Sequence, residues 1–352
     1  MRLPRLAVLA SAASALLAAE EPLRPKVVVV TMFERGADLG DEPGEFQLWV
    51  EREKLDRVVA FPAGHRALRT NADGSVLGVV TGMGNSNAAA TIMALGLDPR
   101  FDLTKSYWLV AGIAGIDPAD GSLGSAVWAE WIVEGDLAHE IDAREIPADW
   151  PTGLVPLRKD RPYAIPRLPD HDDTGQAFRL DPGLVGWAFQ LTKDTPIADS
   201  ERMRAHRAHY TATPAAQRPP FVLKGDNLAS STYWHGRLLN EWANAWVRYH
   251  TDGAGNYVTT AMEDSGTLRA LTNLTRAGRA DVRRALVLRT ASNYDMQWPN
   301  GTAAESLAGD KIGRYAGFRP SIEAAHAVGS RVVHALLRDW ARYEIAVPQP
   351  QP

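Results

Sequence analysis

The hydrophobic pattern alternates between short continuous apolar runs and longer amphipathic ones. Lys26-Val-Val-Val-Val-Thr-Met32 is uninterrupted, the pattern of a strand buried on both faces of a parallel sheet. Runs at 57–61 and 75–81 read as further strands. A glycine turn, Gly82-Met-Gly-Asn85, then leads into a helix-like segment at 86–97, and the chain returns as a strand at 106–112. Residues 75–112 thus form a strand–loop–helix–strand unit, which predicts a right-handed crossover and a parallel pair. Later, a helix is expected over 231–250, a strand over 257–260, a helix-like segment over 267–274, a strand over 285–289 and an amphipathic helix over 322–343.

Residues 139–222 differ. They are rich in Pro, Arg, His and Asp, with weak periodicity and some helix near 184–191. They read as a long insertion on the sheet rim, the kind of segment that forms a lid or binding loop. The tail at 346–352 carries the run Val347-Pro-Gln-Pro-Gln-Pro352, expected to be flexible or polyproline-like.

At 352 residues, with 45% hydrophobic and 23% charged positions, the chain can bury a real core. The net charge of −4 comes without a basic run that could track a phosphate backbone, so no nucleic-acid partner is expected. With no cysteine, disulfides, thiolate metal sites and Cys nucleophiles are excluded. Residues 1–20 read as an export leader: Arg2 and Arg5 precede the short apolar run AVLASAASALLAA, with cleavage expected near residues 18–20. That run is too short for a comfortable membrane span, and no other stretch is long and apolar enough, so the mature chain is expected to have no transmembrane segment and to be periplasmic or secreted.

The chemistry-bearing residues cluster where strands are expected to end. Ala261-Met262-Glu263-Asp264-Ser265-Gly266 follows a strand and opens a helix. Met262 could cover a sugar ring face and Glu263 accept from paired hydroxyls; equally, an acid there caps the helix. Gly82, Met83, Gly84, Asn85 and Ser86 form a loop whose glycines admit a ligand close to the backbone. Read otherwise, Asn85 or Ser86 is an N-cap. The small residues at 111–116, including Gly112, leave room for a planar group or serve strand–helix packing. Leu223-Lys-Gly-Asp226-Asn227 leads to Tyr233-Trp-His-Gly236, aromatics that either stack on a heterocycle or fill the core. Asn293 and Asp295, in Thr290-Ala-Ser-Asn-Tyr-Asp295, could face one cleft and bond a base edge, or form an Asx turn. The acid–histidine group Asp136, His139, Glu140 and Asp142 reads as a solvated face, and no metal or cofactor is expected.

The order TGMGN, VAGIAG, KGDN, AMEDSG and TASNYD resembles the nucleoside phosphorylase/nucleosidase superfamily, and within it the purine nucleoside permease (NUP) family. The opening VVVVTMFE, the stretch Glu134-Gly-Asp-Leu-Ala-His-Glu-Ile-Asp142 and Tyr233-Trp-His-Gly236 look like that family too. The resemblance covers most of residues 26–345. It implies a three-layer αβα sandwich with a central mixed, mostly parallel sheet, and a purine nucleoside as ligand. By position, Met262 and Glu263 match the pair that holds ribose, with Glu263 accepting from the 2′- and 3′-hydroxyls. Residues 82–86 match the loop facing the anomeric carbon, and Gly225, Asp226 and Asn227 the segment packed on the base.

Two departures follow. Asn293 falls where many nucleosidases carry the acid that protonates purine N7. An amide can bond N7 or a 6-oxo group but cannot deliver a proton as an acid does, which leaves Asp295 as the candidate acid. The Gly82 loop has no Arg to clamp phosphate; Arg35 lacks the usual context, and nothing in the sequence brings His65 or Arg66 to the site. The implied reaction is therefore N-ribosidic cleavage by water rather than phosphate, with Glu34 as the carboxylate that orients the water. The rival reading is a non-catalytic nucleoside binder serving uptake. Assembly into a homo-oligomer is left open.

Overall fold

The computed structural model describes residues 21–165, 176–309 and 316–350. The expected leader at 1–20 lies outside them. In chain order the strands are β1 (Val27–Thr31), β2 (Arg57–Val59), β3 (Leu68–Thr70), β4 (Val76–Val80), β5 (Tyr107–Ile116), β6 (Ala126–Ala129), β7 (Trp131–Glu134), β8 (Ala138–Glu140), β9 (Leu154–Pro156), β10 (Ala177–Arg179), β11 (Val222–Lys224), β12 (Asp226–Ala229), β13 (Tyr257–Ala261) and β14 (Ala285–Tyr294). The helices are α1 (Gln47–Arg52), α2 (Asn85–Leu97), α3 (Pro182–Thr192), α4 (Glu201–Arg207), α5 (Pro214–Gln217), α6 (Arg237–His250), α7 (Asp264–Arg276), α8 (Ala303–Ala308), α9 (Phe318–Arg338) and α10 (Trp340–Tyr343).

The main sheet runs β10-β7-β12-β13-β5-β1-β4-β3-β2, with β14 also on β5, β6 on β14 and β11 on β6. It is mixed and mostly parallel at its centre, where β1 pairs in parallel with both β4 and β5. The all-buried Val27–Thr31 run is this central strand. β4 and β5 are parallel as expected, but β1 lies between them, so the crossover through α2 skips one strand.

Three expectations are corrected here. The strands expected at 106–112 and 285–289 do not end there; they run on to Ile116 and Tyr294 as β5 and β14, which pair in parallel from Trp108 to Ile116. Small residues on β5 admit side chains from neighbouring elements: a Cβ at Gly112 would collide with Met32 and lie 2.6 Å from a Glu45 oxygen and 2.7 Å from an Arg289 nitrogen. The 139–222 segment also joins the sheet, with β10 on β7 and β11 on β6, and supplies α3, α4 and α5. Its α3 buries Leu184, Val185 and Ala188 in the main core. The tail, expected to be flexible, has Val347 packed against that core and Pro348 buried.

Candidate active site

The cleft arises from a sheet discontinuity. On one edge of β5, β1 pairs as far as Val30 with Val110. From the opposite direction, β13 pairs Thr259 with Ile116 and Thr260 with Gly115. Residues between Val110 and Gly115 have no ladder partner on that edge, and buried backbone N–H groups demand one. Glu45 supplies it: its carboxyl accepts from Met32 N at 2.8 Å and Ile113 N at 2.7 Å. A cavity of about 610 Å³ opens over this point. Met32, Phe33, Met83, Ile113 and Phe318 form its apolar walls, and Glu45, Glu263, Arg289, Ser292 and Asn293 its polar ones. Arg35, Arg202, Tyr233 and Met262 also line it.

Burial sets the electrostatics. The Glu45 carboxyl is pushed up to about 8 by burial, with Glu263 adding to the rise and Arg289 opposing it. Arg289 projects from the buried β14 and is 1% exposed. It donates to Asp264 at 2.7 and 3.0 Å, to Glu263 at 3.1 Å and to the Ile113 carbonyl at 3.1 Å. Burial would lower its pKa, but Asp264 and Glu263 outweigh that and raise it. Glu263 accepts in addition from Gly84 N at 3.3 Å and Met262 N at 3.1 Å. Its pKa is raised, first by burial, against the pull of Arg289. Glu263 occupies the N-cap position of α7, but its carboxylate makes no capping bond there and is turned to Gly84, Met262 and Arg289 instead.

The glycine loop works as a backbone device. Gly82 and Gly84 take φ values of +82° and +91°, which a side chain would strain. The second turns its N–H onto Glu263. Met83 reaches the cleft mouth and is 59% exposed. Asn85 instead ties elements together: its Oδ1 accepts from Ser265 Oγ at 2.9 Å and Gly266 N at 3.0 Å, and its backbone N–H donates to Ser231 Oγ at 3.0 Å. Ser86 is exposed and does not line the cleft.

Several sequence candidates lie elsewhere. Glu34 is corrected: its carboxylate accepts from the backbone N–H groups of Arg35, Gly44, Phe46 and Gln47, so it anchors the start of α1. Asp295 is corrected too. The β14 ladder ends at Tyr294, and Asp295 turns toward β13 and α6, accepting from Tyr257 Oη and from Asn240 Nδ2. Burial and neighbouring Asp117 raise its pKa well above the carboxylate range, and it is not in the cleft. Asp226 accepts from Trp131 N, Asn256 N and Glu130 N, joining β12 to its neighbours. Asn227 lies behind the site, donating to Asp264. Gly112 lies beneath Met32, Glu45 and Arg289, whose side chains fill the space a Cβ would take. Arg66 is held by Asp38 and the carbonyls of Glu34 and Gly36, while His65 packs beside Gly82.

Glu45, Arg289, Arg202, Phe33 and Phe318 escaped the sequence reading. Arg289 had a signal: a charged residue closing an apolar strand, Ala285-Leu-Val-Leu-Arg289, must find a buried partner. Glu45 had only its position a little beyond β1, shared with Glu34.

Comparison with known proteins agrees with this architecture. Native futalosine hydrolase of Helicobacter pylori strain 26695 superposes with a TM-score of 0.50 at 12% identity, covering 87% of this chain and 97% of that one. The 5′-methylthioadenosine/S-adenosylhomocysteine nucleosidase of Helicobacter pylori gives a TM-score of 0.51 at 12% identity, covering 89% and 100%. Both are likenesses of fold. A probable purine nucleoside permease of Schizosaccharomyces pombe is 31% identical over 291 residues, 81% of this chain and 82% of that protein. The purine nucleoside permease of Candida albicans is 29% identical over 324 residues, 90% of this chain and 76% of that protein. The family model described as purine nucleoside permease (NUP) matches residues 24–348, and the chain belongs to that family.

Proposed function

We propose that this protein binds purine nucleosides in the cleft on β5 and cleaves their N-ribosidic bond with water. The observation that carries this reading is the convergence of Glu45, the Met262–Glu263 pair and Asn293 on one cavity at the meeting point of β1 and β13. In this reading Met262 covers the ribose and Glu263 accepts from its 2′- and 3′-hydroxyls. Asn293 donates to the purine edge. Glu45 takes over the part expected of Glu34: it orients the water and accepts its proton as the oxygen bonds to C1′. The C1′–N9 bond breaks through an oxocarbenium-like transition state, and the purine leaves with the bonding pair and is protonated from solvent.

Water is favoured over phosphate because Arg289, the buried cation of the cleft wall, is already engaged by Glu263 and Asp264 and so is spent as a clamp for a dianion. Of the arginines at the mouth, Arg35 pairs with Glu42 at 3.1 Å and lies over the Phe318 ring. The leader expected at residues 1–20 assigns the activity to the periplasm or the exterior.

The test is product analysis with inosine and adenosine. Base and free ribose are expected without phosphate, and Glu263→Ala is expected to lose ribose binding. Strict dependence on phosphate would overturn the hydrolytic reading. One observation favours a second reading: Asn293 is an amide and Asp295 lies outside the cleft, so among the described residues no acid stands beside Asn293 in the cleft. A non-catalytic binder would then hand nucleosides to a separate transporter. Calorimetric binding with no base released over long incubation would decide for it.

A further inference from the structure

Beside the main cleft lies a narrow recess of about 20 Å³ that shares Tyr233 and Asn293 with it. That volume admits roughly one water-sized group. It suits an exocyclic atom of a ring seated in the main cleft, not a ring itself. The Tyr210 and Tyr294 rings wall it, with centroids 4.0 Å apart, but their hydroxyls donate to the carbonyls of Met296 and Ala216. His235 also lines the recess. Neither of its ring nitrogens has a hydrogen-bond partner among the described residues, although both atoms are shielded from solvent. Its loop is pinned to the end of β14: Gly236, at φ +125°, donates its N–H to the Asp295 carbonyl at 2.9 Å. The imidazole is therefore held beside Asn293 with its polar atoms unused. A buried polar group left so carries an uncompensated desolvation cost, which a hydrogen bond from a ligand atom would recover.

We propose that His235 reads the 6-substituent of the purine, hydrogen-bonding an exocyclic oxygen or amino group in the recess while Asn293 meets the adjacent ring nitrogen. The assignment rests on the cleft being the nucleoside site. Burial pushes the imidazole down to about 4, so at neutral pH it is uncharged. An uncharged imidazole carries one donor and one acceptor, and either tautomer can serve, so both 6-oxo and 6-amino purines are matched. The Asn293 amide is partly spent: its Oδ1 accepts from Ser292 Oγ and its Nδ2 donates to the Tyr294 carbonyl. One N–H remains to point at the base.

The test compares inosine, adenosine and purine riboside, which lacks a 6-substituent, by calorimetric affinity in the wild type, His235→Ala and His235→Gln. The wild type is expected to prefer inosine or adenosine over purine riboside. His235→Ala is expected to lose about tenfold in affinity for the preferred nucleoside and nothing for purine riboside, the scale of one hydrogen bond. His235→Gln, which keeps an amide donor and acceptor, should recover part of the loss. Equal weakening for all three nucleosides, or no weakening in His235→Ala, overturns the assignment while leaving the cleft reading standing. A wild type that binds none of them overturns both.

Discussion

Glu45 holds its carboxyl in the cleft wall with both oxygens on backbone N–H groups, and burial raises it to about 8 from the ordinary 4.5. The folded protein thus holds this proton more tightly than the unfolded chain does. Between those two values folding binds the proton, so stability falls as pH rises through the window, and the loss is complete above it. Glu45→Gln keeps the shape and removes the titration; its melting temperature should fall less than that of the wild type between pH 5 and pH 9. As the base for water, Glu45 must be ionised, so kcat/KM for nucleoside cleavage should rise to a plateau above about pH 8. The Gln variant should lose about 10²- to 10⁴-fold and this rise with it. A shared pH profile for both proteins would sink the role. Glu34 and Glu45 illustrate the limit of legibility at this scale. Both follow β1, and the choice between them depends on how the 34–45 loop folds back, which puts Glu34 on the amides at the start of α1 and Glu45 on those of Met32 and Ile113.

At the scale of elements, α2 and α7 pack side by side with their starts locked together. Gly266, in the first turn of α7, lies so close to α2 that a Cβ would collide with the Asn85 carbonyl oxygen, a backbone atom that cannot swing away. Gly266→Ala should therefore cost about 1–3 kcal/mol of stability, seen as a lowered melting temperature. It should also weaken ribose binding, because separating the helices breaks the Gly84–Glu263 bond. Ser86→Ala, on the exposed face of the same start of α2, should change stability by no more than about 0.5 kcal/mol. Equal melting temperatures for the two variants would refute the close-packing account. The strand and helix starts here were legible, since β4 and β13 are short apolar runs ended by the glycine and acid turns that open α2 and α7. The continuation of β5 and β14 through glycine and Asn-containing stretches was not, because residues there are chosen for close approach by neighbours rather than for strand propensity.

For the molecule as a whole, the described fold begins with Leu23, which bridges to Phe101 and bonds Arg100. With the proposed export leader removed, the mature protein isolated from its own cells should begin near residues 18–20 by mass spectrometry. A mature protein that retains Met1 would exclude the proposed export leader. The apolar runs, their order and the strand-end residues Met262, Glu263 and Asn293 were readable along the chain, because periodicity and turn chemistry act over a few neighbouring residues. Which carboxylates line the cleft, and which arginine they share, was decided only when distant segments met: Gly84 with Glu263 across 179 positions, Glu45 with Ile113 across 68, Arg289 with Asp264 across 25. Such partnerships depend on register and burial between strands, and no local pattern encodes them.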